Sequence, residues 1–350
     1  MAVRLDPMQA TIRTAVLEWL ASVHDGGARW KYSRDMLRPW AVESSAMAVR
    51  LLVDTLGAQL PPAHLAGLTA EIQGWQEPSS GLFKDPLLQP GDHVGSGATH
   101  TWEHIWNHHT GICLEALTVL GARPLHPLPP DAFGLGVRAE PAGVEAWVLG
   151  LDWENPWLAG EHFSRGIAVL LRTDCALAGT AFDVLQRDIM NPASGYPDRR
   201  SARGPMVAMA GLFKVLSGYR LAGRPVPYVG QAMDSTLALQ DQEGGMGMDN
   251  LCIHWDAAWV LKNLNAQAGG CHRFADLRAA GRRLAAFLVR AHRKPDGGFS
   301  FHRAHCVTVH NSVRVSAALP QADIMGTLMS CECLRYADEW EQGISTPTLL

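Results

Sequence analysis

The chain has no C-x-x-C pair, no long uninterrupted apolar run and no large surplus of charge of one sign, and each absence closes a class of function. Its seven cysteines are odd in number and lack paired spacing, so they fit reduced thiols, mostly small core residues, better than a disulfide framework. No segment approaches the apolar length of a membrane span, and the first twenty residues carry Asp6 and Glu18 where a secretory signal needs apolar ones. A net charge of -4, with basic residues not gathered into a tail, gives no reason to expect nucleic acid or an anionic membrane as partner. The expectation is a soluble, cytoplasmic protein that handles a small molecule.

What is present is a rhythm of turns. Asp25-Gly26-Gly27, Pro78-Ser79-Ser80-Gly81-Leu82-Phe83, Asn191-Pro192-Ala193-Ser194-Gly195-Tyr196, Glu243-Gly244-Gly245 and Asp296-Gly297-Gly298-Phe299 each follow one amphipathic segment and precede another. Between Gly26, Gly81, Gly195, Gly244 and Gly297 the intervals are 55, 114, 49 and 53 residues, so the long one hides a unit. Asp152-Trp153-Glu154-Asn155-Pro156-Trp157 is its place, with Asn-Pro standing where the glycines would be. Six helical hairpins of about fifty residues each constitute a repeat.

Taken in pairs, the predicted helices cover 7–23 and 39–56, 63–75 and 99–120, 143–151 and 160–173, 181–190 and 203–221, 229–240 and 252–266, and 277–292 and 321–340. The first shows one apolar face at Ile12, Val16, Leu17 and Leu20, whereas the second is small and apolar on most sides and reads as an inner helix. Twelve helices alternating between outer and inner positions, without a polar capping repeat at either end, imply an all-α, (α/α)6 toroid of six helical hairpins. Residues 1–350 are expected to form a single domain, with a proline-rich insertion at about 122–142. The histidine- and valine-rich connector from Phe299 to Pro320 has room for a short strand or an extra helix.

The Gly-Gly-aromatic turns, Gln76 and Gln240 just before two of them, and the hairpin rhythm resemble the prenyltransferase and squalene oxidase repeat, the toroid shared by terpenoid cyclases and protein prenyltransferase β subunits. The resemblance is one of fold, and function must be argued from the site. It implies an Asp-x-Asp-Asp acid motif for cyclisation, which this chain lacks. It implies zinc on an Asp-x-Cys and a histidine of the last helix for prenyl transfer. Cys252 matches the cysteine, but Asn250 stands two before it, with Asp249 one further back, and Gly326 falls at the histidine position. His310 would substitute only if its connector folded back to the toroid mouth. No cofactor is therefore expected, and zinc is an outside alternative.

Parallel inner helices would bring their first turns to one mouth, where the candidate residues are sought. His100-Thr101-Trp102-Glu103-His104 fits H-x-x-E-H, a zinc-peptidase pattern, but without that family's context it reads as a cavity-lining stripe of His100, His104 and His108. Asp256, one turn after Cys252 and beside His254, is either a general acid or base or half of a buried ion pair. The expected catalytic residues are Asp256, Glu103 and His104. Trp40, Glu43, His100, Trp106, Arg165, Arg199, Arg203, Cys252, His254 and Asp323 are expected to bind substrate, the arginines as an anion clamp and the tryptophans as walls. Asp323 has a simpler role open to it, as a helix cap. The favoured function is an enzyme acting on an isoprenoid-type or similar apolar substrate. A carbohydrate-active hydrolase, lyase or epimerase and a non-catalytic binding toroid are the alternatives.

Overall fold

The computed structural model describes residues 7–95, 101–128, 140–247 and 249–348. Among them are twelve α-helices and one two-stranded antiparallel ribbon, so the chain is all-α, in the hairpin order that the repeat predicts. The helices are α1 (Pro7–Ser22), α2 (Val42–Arg50), α3 (Pro62–Gly74), α4 (Trp102–Val119), α5 (Pro141–Gly150), α6 (Pro156–Thr173), α7 (Cys175–Val184), α8 (Pro205–Leu221), α9 (Val229–Leu237), α10 (Leu251–Gln267), α11 (Phe274–Ala291) and α12 (Ile324–Glu341). Strands β1 (Val309–His310) and β2 (Val313–Arg314) lie in the connector before α12. Most of the expected proline-rich insertion, 129–139, lies outside the described residues.

The repeated turn has a backbone cause. Gly26, Gly81, Gly195, Gly244 and Gly297 all sit at positive φ, between 69° and 108°, where a side chain would be strained. The two glutamines serve the same turns: Gln76 Nε2 donates to the Gly81 carbonyl at 2.8 Å, and Gln240 Nε2 to the Gly244 carbonyl at 3.0 Å. The hidden unit closes without such a glycine. There Trp153 donates its indole N–H to the Val148 carbonyl at 2.7 Å, and Pro156 opens α6 at a position where a missing N–H costs nothing.

The residues fall into two compact units. The first comprises Met1–Pro129, Asp249–Leu251 and Leu288–Glu332. In it α1 buries Ile12, Val16, Trp19 and Leu20, so Trp19 takes the core place expected of Leu17. A fully buried side chain of this size contributes about 1.5–3 kcal/mol. Helix α2, buried from Val42 to Val49, packs along α4, and α3 touches both. The chain enters α2 later than Pro39, because Ala41 is extended and its N–H donates to the Trp30 carbonyl at 3.3 Å. Asp85, from the second hairpin's turn, then accepts the Val42 N–H at 3.2 Å and supplies the cap that Ala41 cannot. The last hairpin meets the first here: the Ile324 N–H donates to the Tyr32 carbonyl at 2.7 Å, and a Cβ on Gly297 would come 2.8 Å from the Ala15 carbonyl.

The second unit comprises Pro130–Met248, Cys252–Phe287 and Cys333–Leu350. Its main contact is α6 against α8, made close by glycine on both sides: a Cβ on Gly160 would lie 2.8 Å from the Gly211 carbonyl, and one on Gly211 would lie 2.5 Å from Pro156 Cβ. Helix α7 begins at Cys175, six residues before the expected start, because Asp174 caps it through the Ala176 and Leu177 amides. Phe163 stacks on Trp147, and Phe182 packs on Tyr219, filling the layer between α5, α6, α7 and α8.

Candidate functional site

The densest polar cluster lies in the first unit and is centred on Glu43. This carboxylate is 3% exposed in the first turn of α2, and its two oxygens meet groups from three other segments. Tyr32, in the connector before α2, donates its hydroxyl to Oε2. From α4, His108 Nδ1 lies 2.6 Å from Oε1 and His109 Nε2 lies 3.8 Å from Oε2. From the ribbon, His310 Nδ1 lies 2.9 Å from Oε2, and Asn311 Nδ2 donates to Oε1 at 3.1 Å. The Tyr32 hydroxyl is also 3.1 Å from His310 Nδ1, which ties connector, helix and ribbon together.

Local structure explains why these groups converge. Thr101 caps α4 by accepting the His104 amide, and the packing of α4 along α2 turns His108 and His109 toward Glu43. The ribbon is a two-residue hairpin in which Asn311 and Ser312 both adopt positive φ, 43° and 64°. A left-handed non-glycine residue costs roughly 1–2 kcal/mol. Part of that cost is offset by the Asn311 bond to Glu43 and by the Val94 N–H, which donates to the Ser312 carbonyl at 2.8 Å.

Burial opposes charge on Glu43, but His310 and His108 outweigh it and hold the carboxyl well below its usual range, so it is ionised at neutral pH. Burial, and next the Glu43 charge, push the Tyr32 hydroxyl well above its ordinary value, so it keeps its proton. Burial lowers His109 to about 4, leaving a neutral ring. Beside the cluster runs an aromatic wall: Trp102 stacks on Trp106 at 5.2 Å, His93 packs on Trp102, and Trp106 meets His109 edge-on. His108 and His310 form the more accessible side of the cluster, their side chains 26% and 12% exposed.

Glu43 and Trp106 thus belong to this region, whereas Glu103 is exposed in the first turn of α4 and His104 is half-buried one turn before His108. His100 lies outside the described residues. Trp40 stacks on Trp75 at 5.5 Å under the Arg29 guanidinium. Asp323 is fully buried and caps α12: Oδ1 accepts the Gly326 N–H at 2.7 Å, and Oδ2 accepts those of Phe301 and Val307 at 2.8 and 2.9 Å.

The remaining expected residues lie in the second unit. Arg165 is ion-paired with Glu161 on its own helix, Arg199 donates to the Arg187 carbonyl, and Arg203 is exposed. His254 is buried, accepts the Met246 N–H at 2.9 Å and packs on Phe287. Asp256 is 3% exposed, and burial pushes it to about 8 against a modest pull from Lys214. Its Oδ2 has no hydrogen-bond partner. Burial likewise raises the Cys252 thiol far above its ordinary value, which makes it inert.

Tyr32 and Asn311 carried no signal in the sequence as site residues, and His109 appeared there only as the end of the histidine-rich stretch that opens α4. His310 appeared as a substitute metal ligand on condition that its connector folded back, and the ribbon brings it to Glu43.

No family model matches the chain, and no curated protein matches it. Among solved structures it is similar to a protein from Actinoplanes, at 15% identity over 95% of this chain and 99% of that one, with a TM-score of 0.53. It is also similar to a type II terpene cyclase from Scytonema, solved with geranylgeranyl dihydroxybenzoate, at 14% identity, 96% and 98% coverage and a TM-score of 0.49. A polysaccharide lyase aligns at 10% identity, 96% and 98% coverage and a TM-score of 0.45. At this level of identity the likeness to the Actinoplanes protein is one of fold. No helix among the described residues is long and apolar enough to cross a membrane.

Proposed function

We propose that the chain is an enzyme whose catalytic centre is the Glu43 cluster, and that it moves a proton on a carbohydrate or similarly hydroxyl-rich substrate, as a lyase or epimerase does. The observation that carries this reading is the meeting of Tyr32, Glu43, His108 and His310 from separate segments. Burying so many ionisable groups together is expensive unless they are used. Ionised Glu43 fixes the Tyr32 proton and the charge around the two rings. His108 and His310, on the accessible side, are the groups that exchange a proton with substrate. Trp102 and Trp106 offer a stacked face of the kind that packs on sugar rings.

An isoprenoid-type substrate, the expectation from the repeat, draws less support. The arginines it needs for a diphosphate lie in the second unit, where Arg165 is neutralised by Glu161 and Arg199 is engaged by a backbone carbonyl. The test is a panel of neutral and uronate-containing glycans, read by new reducing ends and by absorbance of a new conjugated double bond, set against a panel of prenyl diphosphates. Glycan turnover that falls at least a hundredfold in Glu43→Gln and Tyr32→Phe is the expected result. Turnover confined to prenyl substrates, or indifferent to both substitutions, would overturn the reading.

A further inference from the structure

Three side chains of the cluster also bring metal-ligand atoms together. Glu43, His108 and His310 each offer a ligand atom within 4.8 Å of the other two. His108 Nδ1 is buried and 2.6 Å from Glu43 Oε1, and His310 Nδ1 is 2.9 Å from Oε2, so a nitrogen of each ring faces the carboxylate. The two imidazoles stand nearly perpendicular, 87° apart with centroids at 5.3 Å. Nitrogens meant for a shared ion aim their lone pairs at a point between the ligands.

We infer that Glu43, His108 and His310 form a mononuclear site for a divalent first-row transition-metal ion, with zinc the expected occupant. Two imidazoles and one carboxylate are the ligand types such an ion takes, and three protein ligands leave a fourth position for water or a substrate oxygen. The surroundings match this assignment. Tyr32 and Asn311 bond the carboxylate oxygens from outside and hold Glu43 in place, as partners of metal-ligating carboxylates do. The ligands come from α2, α4 and the ribbon, so their spacing is set by packing rather than by one flexible segment. The exposed edge of His108 provides an entry path. Ligand atoms around one tetrahedral ion stand about 3.3 Å apart, so loading asks the 2.6 and 2.9 Å separations to open by roughly 0.4–0.7 Å.

The inference rests on the reading of this cluster as the catalytic centre and changes one role in it: with an ion bound, His108 and His310 would hold the metal, and a water in the fourth position would exchange the proton in their place. Its test reads metal rather than turnover. The full chain, stripped with a chelator and dialysed, is titrated with Zn2+ by calorimetry and with Co2+ by visible absorption, which reports a low-symmetry site of nitrogen and oxygen ligands. One ion per chain is expected, with binding at least a hundredfold weaker in His108→Ala and His310→Ala and about tenfold weaker in Tyr32→Phe, which alters only the outer contacts. His108→Gln, at a partly exposed position, keeps the experiment decisive if an alanine variant misfolds. Absence of one-to-one binding at micromolar metal, or binding that survives both histidine substitutions, overturns the inference. No one-to-one binding together with full glycan turnover in the stripped protein would sink the metal site and leave the acid–base reading standing. One bound ion without glycan turnover would do the reverse.

Discussion

Asp256→Asn is expected to stabilise the protein at neutral pH, although it removes the most heavily buried carboxylate of α10. Burial pushes Asp256 from 3.8 to about 8, and Oδ2 has no partner to repay the lost hydration. With the folded value above the unfolded one, the unfolded chain releases this proton first. The native state therefore loses stability as pH rises from about 4 to about 8, and the loss is complete above that. At about pH 7 the gap spans about three units, and at about 1.4 kcal/mol per unit the burden is roughly 4 kcal/mol. Asparagine has the same shape and no charge, so it removes the burden. Unfolding entropy of about 2 cal/mol/K per residue, over 350 residues in one transition, converts 4 kcal/mol to a rise of roughly 5 °C in Tm. The assay is differential scanning calorimetry of both proteins at several pH values: the Tm difference should vanish near pH 4, where both bury a neutral group, and grow with pH to a plateau above about pH 8. A variant less stable than the parent at neutral pH would refute the argument and show that Asp256 is ionised and paired with Lys214. A difference that does not change with pH would refute it too.

Asp323→Ala should behave in the opposite way, since it strands the buried Phe301, Val307 and Gly326 amides; a loss of at least about 3 kcal/mol in denaturant melts is expected. Gly297→Ala forces a side chain to φ 108° and toward the Ala15 carbonyl, and should cost about 1–3 kcal/mol in the same melts. Trp106→Ala, beside the cluster, should raise KM for a glycan substrate more than it lowers kcat, because it removes a binding face and leaves Glu43 and Tyr32 untouched. If residues 1–350 form the single cooperative domain proposed from the repeat, calorimetry should show one transition with equal calorimetric and van't Hoff enthalpies; two resolved transitions would assign the compact units separate stabilities.

The sequence by itself determined the all-α class, the six hairpins and the places of the turns. These rest on local physics: apolar residues recurring at helical spacing, and backbone positions such as Gly244 and Gly297 whose positive φ strains any other residue. Even the disguised unit was legible, because Asn155-Pro156 carries its own helix-start chemistry. The site was legible only in part. Glu43 could be placed near an inner helix start and His108 in a histidine stripe, while sequence spacing favoured Glu103 and His104; the fold brings His108 and His109, one turn further along α4, to Glu43. That choice depends on the phase at which α4 packs on α2, which no residue of α4 encodes alone. His310 and Asn311 reach Glu43 through a left-handed two-residue turn in an irregular connector, a path set by bonds to Val94 and Glu43 rather than by periodicity. Asp323, just before a helix, had a cap role open to it in sequence, whereas Asp256 was left between acid–base and ion-pair roles. In the fold three backbone amides point at Asp323, and none of the described hydrogen bonds reaches Oδ2 of Asp256, so tertiary structure made the first a cap and left the second a buried carboxyl raised by burial.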